Sequence, residues 1–176
     1  MDSLDGTFDG RHFRDVLGNL PTSVVAVTTT RPDGSPAGMI VGTFTSVSLE
    51  PPLVSFLADR SSFSFGHIRE SGRYCANVLA ADQEVLSRKM ATGGPAKFDG
   101  VEWTRSPMGN PVLAGIVAWV DCDVEKIVEL GDHHLAVGRV RDLRVSSPKT
   151  PLLFFRGGYG DYFSTTALLL DRLAGF

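Results

Sequence analysis

Residues 38–54 read Gly38-Met39-Ile40-Val41-Gly42-Thr43-Phe44-Thr45-Ser46-Val47-Ser48-Leu49-Glu50-Pro51-Pro52-Leu53-Val54. Most of these residues are β-branched, aromatic or hydroxyl-bearing, a composition that suits a pleated, half-buried surface. Residues 37–41 and 44–49 read as strands. Pro51-Pro52 ends the second, because proline cannot donate to a ladder. Residues 53–57 resume as a short, mostly buried strand. Upstream, residues 24–30 form another β-branched run. Between that run and Ala37 stands Pro32-Asp33-Gly34-Ser35, a turn with a mechanism: proline presets φ and glycine admits a positive one. Strands joined by tight turns pair antiparallel.

Farther out, residues 116–128 alternate. Val120, Cys122 and Val124 fall on one face, and Asp121, Asp123 and Glu125 on the other, which predicts a half-exposed antiparallel strand. Leu130-Gly131-Asp132 is the turn and residues 135–145 run back. Residues 74–79 and 151–155 add strands. Helices read at 11–19, 61–71, 82–91 and 165–173. Pro21 follows the first, Ser61 or Ser62 caps the second with Gly72 at its end, and Asp82 caps the third. About seven or eight strands with short helices predict a mainly β fold, an antiparallel barrel and not a doubly wound parallel sheet. Residues 1–176 read as a single domain, with residues 1–10 polar and mobile and residues 164–176 as a C-terminal helix or tail.

Composition narrows the function. The 176 residues are 43% hydrophobic and 21% charged, ordinary for a globular domain and too apolar for disorder. A net charge of -3 argues against binding nucleic acid or an anionic membrane through bulk charge. Cys75 and Cys122 are too few for a disulfide framework. The acidic start lacks an apolar signal, and the longest apolar run, residues 111–120, is roughly half a membrane span. The expectation is a soluble cytoplasmic protein. His133 and His134 are neighbours, so on a strand they face opposite ways and cannot chelate one metal together. With no HExxH, P-loop or GxSxG present, no metal site, nucleotide cradle of that type or triad hydrolase is expected. Gly158-Tyr159-Gly160 does not continue into a dinucleotide-binding fingerprint.

What remains is rich in hydroxyls. Ser46 and Ser48, alternate residues of one strand, can offer two hydroxyls on one side. Asp59-Arg60-Ser61-Ser62 opens a predicted helix. An arginine, hydroxyls and free helix N–H groups together make a phosphate-binding corner. The same residues also suit an ordinary helix cap and an exposed edge strand, and both readings stand.

The order of these pieces resembles the flavin reductases of the FMN-binding split-barrel type. Phe13-Arg14-Asp15-Val16-Leu17-Gly18 and Pro21-Thr22-Ser23-Val24-Val25-Ala26-Val27-Thr28 resemble their opening. Residues 38–54, Asn77-Val78-Leu79 with Gln83, Lys97-Phe98 and Gly131-Asp132-His133 follow in the same order. The resemblance implies the small reductase component of a two-component flavin-dependent monooxygenase. Such a protein is a homodimer, uses NADH or NADPH to reduce FMN or FAD, and passes reduced flavin to a separate oxygenase. It further implies that Met39, Ile40, Val41, Gly42 and Thr43 run beside the flavin ring. Ser46, Val47 and Ser48 would approach the ribityl phosphate, and Arg60, Ser61 and Ser62 would complete the phosphate site. Phe98 would contact the cofactor. His133 would stand beside the nicotinamide as the catalytic residue, and Tyr159 would close over it. Ser23 and Gly42 depart from the usual residues of the family. Trp103 and Trp119 read as packing, and Trp119 on an acidic strand face, with the leucine-rich tail, suggests apolar surface for a second copy. Two other classes remain open on the same kind of barrel: a flavin-binding or storage protein without enzymatic activity, and an FMN-dependent amine oxidase of the pyridoxamine-phosphate-oxidase type.

Overall fold

Tight turns and alternation set the chain path. In the computed structural model, which describes residues 9–164, α1 (Gly10–Leu17) precedes β1 (Thr22–Ser23), β2 (Val25–Thr30) and β3 (Pro36–Val41). Next come β4 (Thr45–Leu49), β5 (Pro52–Asp59), α2 (Phe63–Ser71), β6 (Arg73–Val78) and α3 (Glu84–Met90). β7 (Trp103–Arg105) and β8 (Pro111–Leu113) form a small hairpin, and β9 (Ala118–Leu130) and β10 (His133–Val145) a long one. β11 (Leu152–Phe155) and β12 (Gly158–Asp161) follow.

Seven strands make one antiparallel sheet in the order β3-β2-β6-β9-β10-β5-β4. The sheet curls until β3 approaches β5, but the two are not paired, and β3 and β4 remain edges. The result is a split barrel, open along one seam. A smaller sheet, β1-β11-β12, lies outside it. Among the described residues no helix is long and apolar enough to cross a membrane.

Two cores follow from the alternation of β2. Val25 and Val27 point into the barrel with Phe56, Phe65, Ile68 and Tyr74. Val24 and Ala26 point outward against Leu79, Met90, Leu113 and Trp119. Burial on both faces explains why Val24-Val25-Ala26-Val27 reads as an unbroken apolar run. Inside, Phe56 meets Tyr74 edge-on at 5.2 Å and Phe65 at 6.1 Å between ring centroids. Such pairs add about 0.5–1.5 kcal/mol beyond their buried area. Gly138 on β10 is a glycine for space: a Cβ there would overlap the Tyr74 hydroxyl.

The structure corrects the reading of β9. Asp121 is fully buried and Trp119 only 8% exposed, so this end of the face expected to meet water is covered, while the side chains of Asp123 and Glu125 farther along stay 39% and 40% exposed. The cover is the β7–β8 hairpin, whose three-residue strands are too short to register a period. Asp121 accepts hydrogen bonds from Met108 N at 3.1 Å and Asn110 Nδ2 at 2.8 Å. Trp119 belongs to the outer core and leaves no apolar surface for a second copy. The segment from Asn110 to Ala114 is pinned by two polar side chains. Asn77 Oδ1 accepts from Leu113 N at 2.8 Å, and Gln83 Nε2 donates to the Ala114 carbonyl at 2.7 Å.

Ser62 caps α2 and Gly72 ends it with φ 67°. Asp82 does not cap the third helix, which begins as a 3-10 turn at Ala81–Gln83. Asp82 pairs instead with Lys149 Nζ at 2.6 Å. Asp9, itself extended, caps α1, and Gly10 is the first residue of that helix. Residues 1–8 and the helix expected at 165–173 lie outside the described residues.

Candidate functional site

The open seam is a groove of about 940 Å³. Met39, Ile40, Val41, Gly42 and Thr43 line one wall, and Leu57, Asp59, Asp132 and His133 the other. Phe13 and Leu17 of α1 border it, both more than two-fifths exposed. β3 pairs only with β2. Alternate N–H and C=O groups along its other edge therefore have no ladder partner. The Thr43 hydroxyl accepts from Leu57 N at 2.9 Å and ties the two walls together where β3 ends.

His133 and His134 diverge as neighbours on a strand must. His133 lines the groove with its side chain 41% exposed, and its Nδ1 lies 2.7 Å from Asp132 Oδ1. A carboxylate only accepts, so Nδ1 carries the hydrogen and Nε2 of the neutral ring is left as an acceptor. The same hydrogen bond holds the Asp132 carboxyl below its ordinary range. His134 is buried on the opposite face against the Phe65 ring, 5.4 Å between centroids.

A second recess, of about 310 Å³, joins the groove through Met39, Ile40 and Asp59. Ser62, Phe63 and Ser64 at the start of α2 border it, with Lys97. Lys97 Nζ donates to the Gly38 carbonyl at 3.0 Å and the Ser64 hydroxyl at 3.4 Å. Among the described residues it has no carboxylate partner within 4.0 Å. Burial lowers its pKa, and the charge of Arg31 adds to this. The sequence singled out Lys97 only as part of a motif and gave it no role. The available signal was its place beside Phe98, a lysine next to a core aromatic.

Other expected site residues lie elsewhere. A bulge between Ser46 and Ser48 breaks the alternation that would give them one face. Ser46, Val47 and Ser48 lie on the β4 edge and line neither groove nor recess. The Ser61 hydroxyl is taken by Asp59 Oδ1 at 2.5 Å, while Ser62 accepts from Phe65 N at 3.3 Å and borders the recess. Arg60 is exposed and lines neither groove nor recess, though its Nη1 lies 3.4 Å from the carbonyl of Gly131, next to the groove residues Leu130 and Asp132. Phe98 is buried behind β3: a Cβ on Gly38 would stand 3.2 Å from its Cζ. It supports the strand and does not line the groove, because the missing side chain of Gly38 lets its ring in. Tyr159 lines a recess of about 190 Å³ with Phe154, which shares Ile40, Val41 and Gly42 with the groove. Its hydroxyl lies 3.0 Å from that of Ser87.

Residues 17–162 match the family described as flavin reductase like domain. A flavin reductase of Pseudomonas putida is 49% identical over 154 residues, which cover 88% of this chain and 91% of that protein. HsaB, the reductase subunit of a flavin-dependent monooxygenase of Rhodococcus jostii, is 44% identical, with 86% and 77% covered. The NADH:FAD oxidoreductase SgcE6 of Streptomyces globisporus, solved with NAD and FAD fragments, superposes with a TM-score of 0.83 at 31% identity. The match covers 92% of this chain and 99% of that one.

Proposed function

This chain belongs to the flavin reductase-like family, and on that footing we propose that its open seam is the flavin site, with His133 on the nicotinamide side. The chain is an oxidoreductase that reduces flavin with a nicotinamide nucleotide and serves a separate monooxygenase component. The observation that carries the site is the unpaired β3 edge facing Asp132 and His133 across the groove.

The groove fits a flavin ring. Its volume lies in the range of small-molecule sites, Met39, Ile40, Val41 and Leu57 offer apolar faces, and the β3 edge offers hydrogen-bond donors. When bound, the nicotinamide supplies a hydride and the flavin accepts it. The N–H groups of β3 stabilise the negative charge that gathers at the ring edge. His133, held by Asp132, keeps Nε2 available to accept a hydrogen bond from the carboxamide of the nicotinamide. No strong base or nucleophile is needed for a hydride transfer. The recess at α2 receives the phosphate, with Lys97, Ser62 and Ser64 around it and Arg60 as a second cation at the rim. Phe98 and Tyr159 support β3 from behind.

Hydrogen–deuterium exchange with and without FMN tests the placement. Protection is expected over residues 38–43 and 130–134. Flavin binding that leaves both segments unprotected would contradict it.

A further inference from the structure

A separate cavity lies under the β2–β3 turn. It is open to solvent, has a volume of about 340 Å³ and shares no lining residue with the seam. Thr30, in its wall, stands opposite Pro36, and Met39 is the nearest groove residue of β3. Pro36 and Met39 are three residue steps apart, roughly 10 Å of strand.

Three arginines from different parts of the chain meet there: Arg31 after β2, Arg73 at the start of β6 and Arg105 at the end of β7. Among the described residues none of them is in an ion pair. Backbone carbonyls hold two of them. Arg73 Nη1 donates to Met108 at 3.1 Å and Arg105 Nη1 to Gly109 at 3.0 Å. Carbonyls orient these forks without neutralising them. The one carboxylate in the wall, Glu70, is 62% exposed and lies 3.7 Å from His67 Nδ1. Water therefore screens its charge.

Two buried atoms in this wall lack partners. Arg31 Nε is a donor and Asn110 Oδ1 an acceptor, and neither makes a hydrogen bond. Asn110 is fully buried, and its Nδ2 is committed to Asp121. The amide therefore cannot turn, and its oxygen is the end left over. Folded proteins pair nearly all such atoms.

We propose that this cavity binds a phosphate group. Guanidinium forks match phosphate oxygens in geometry and charge. Pro32 and Met108 give the wall apolar surface. The space suits a body of about mononucleotide size.

Calorimetric titration of the full chain with orthophosphate, AMP and adenosine is the test, with FMN supplied at one equivalent so that it occupies the seam and leaves none over for the cavity. Orthophosphate or AMP binds and adenosine does not. The Arg73→Ala/Arg105→Ala variant loses at least tenfold in affinity while its FMN affinity is unchanged. AMP binding tighter than orthophosphate assigns an ester, and equal binding assigns free phosphate. If the double variant fails to fold, Arg105→Lys serves, with a severalfold loss expected because it keeps the charge and removes the fork. Binding of neither anion at millimolar concentration, or equal affinity in the folded variants, overturns the proposal.

Discussion

His133 and His134 show how much one residue of register decides. Both follow the same turn, yet one lines the groove and the other packs on Phe65. A positioning hydrogen bond is worth about 0.5–1.5 kcal/mol, up to about 3 if charged. We expect His133→Ala to slow hydride transfer severalfold to a hundredfold with FMN affinity nearly kept. His134→Ala should cost stability and leave transfer near normal. Single-turnover reduction rates for both variants check this, and a slower His134→Ala would reverse the assignment of faces. The phosphate site gives a second prediction. Lys97→Ala should weaken FMN about tenfold or more while riboflavin, which has no phosphate, changes little. Arg60→Ala, at the exposed rim, should have the smaller effect. Fluorescence titrations with both flavins decide it; equal losses for FMN and riboflavin would remove the phosphate from Lys97. The sequence pointed to Arg60 because its charge adjoins a helix start. It could not show that Ser61 is held by Asp59, or that Lys97, distant in sequence, returns to the same helix.

Among the elements, the long alternating strands and the turn at residues 32–35 were legible. Short elements were not. β7, β8 and β12 have three or four residues each, and the β7–β8 hairpin covers Trp119 and Asp121 at one end of the β9 face expected to meet water. The motif residues Asn77 and Gln83 prove to hold this missed hairpin. Asn77 also donates to the Ala26 carbonyl at 3.1 Å and the Pro111 carbonyl at 3.3 Å. Asn77→Ala therefore strips several buried groups of partners at once. Each orphaned group costs about 1–3 kcal/mol, so a loss of about 2–4 kcal/mol is expected. Urea unfolding measures it, and a loss below about 1 kcal/mol would mean the hairpin is held by its apolar contacts alone.

For the whole molecule, the barrel class and the flavin strand could be read because residues 38–54 carry both. The seam could not, since it depends on β3 and β5 meeting without pairing. The basis for a second copy also changes. Trp119 is buried, whereas Leu49 beside the start of β5, and Leu143 and Val145 where β10 has run past β5, are 89%, 62% and 75% exposed. We propose that this sheet end is covered by a second copy of the chain. Light scattering should give a dimer, and Leu143→Asp should shift it toward monomer; a monomer at all concentrations of the unmodified chain would refute the proposal. The most direct measurement of the central claim is a crystal structure of the chain with FMN bound. The account places the flavin ring along residues 39–43 with Asp132 and His133 across the groove. A ring bound elsewhere, in the recess of Tyr159 or on the β4 edge, would contradict it.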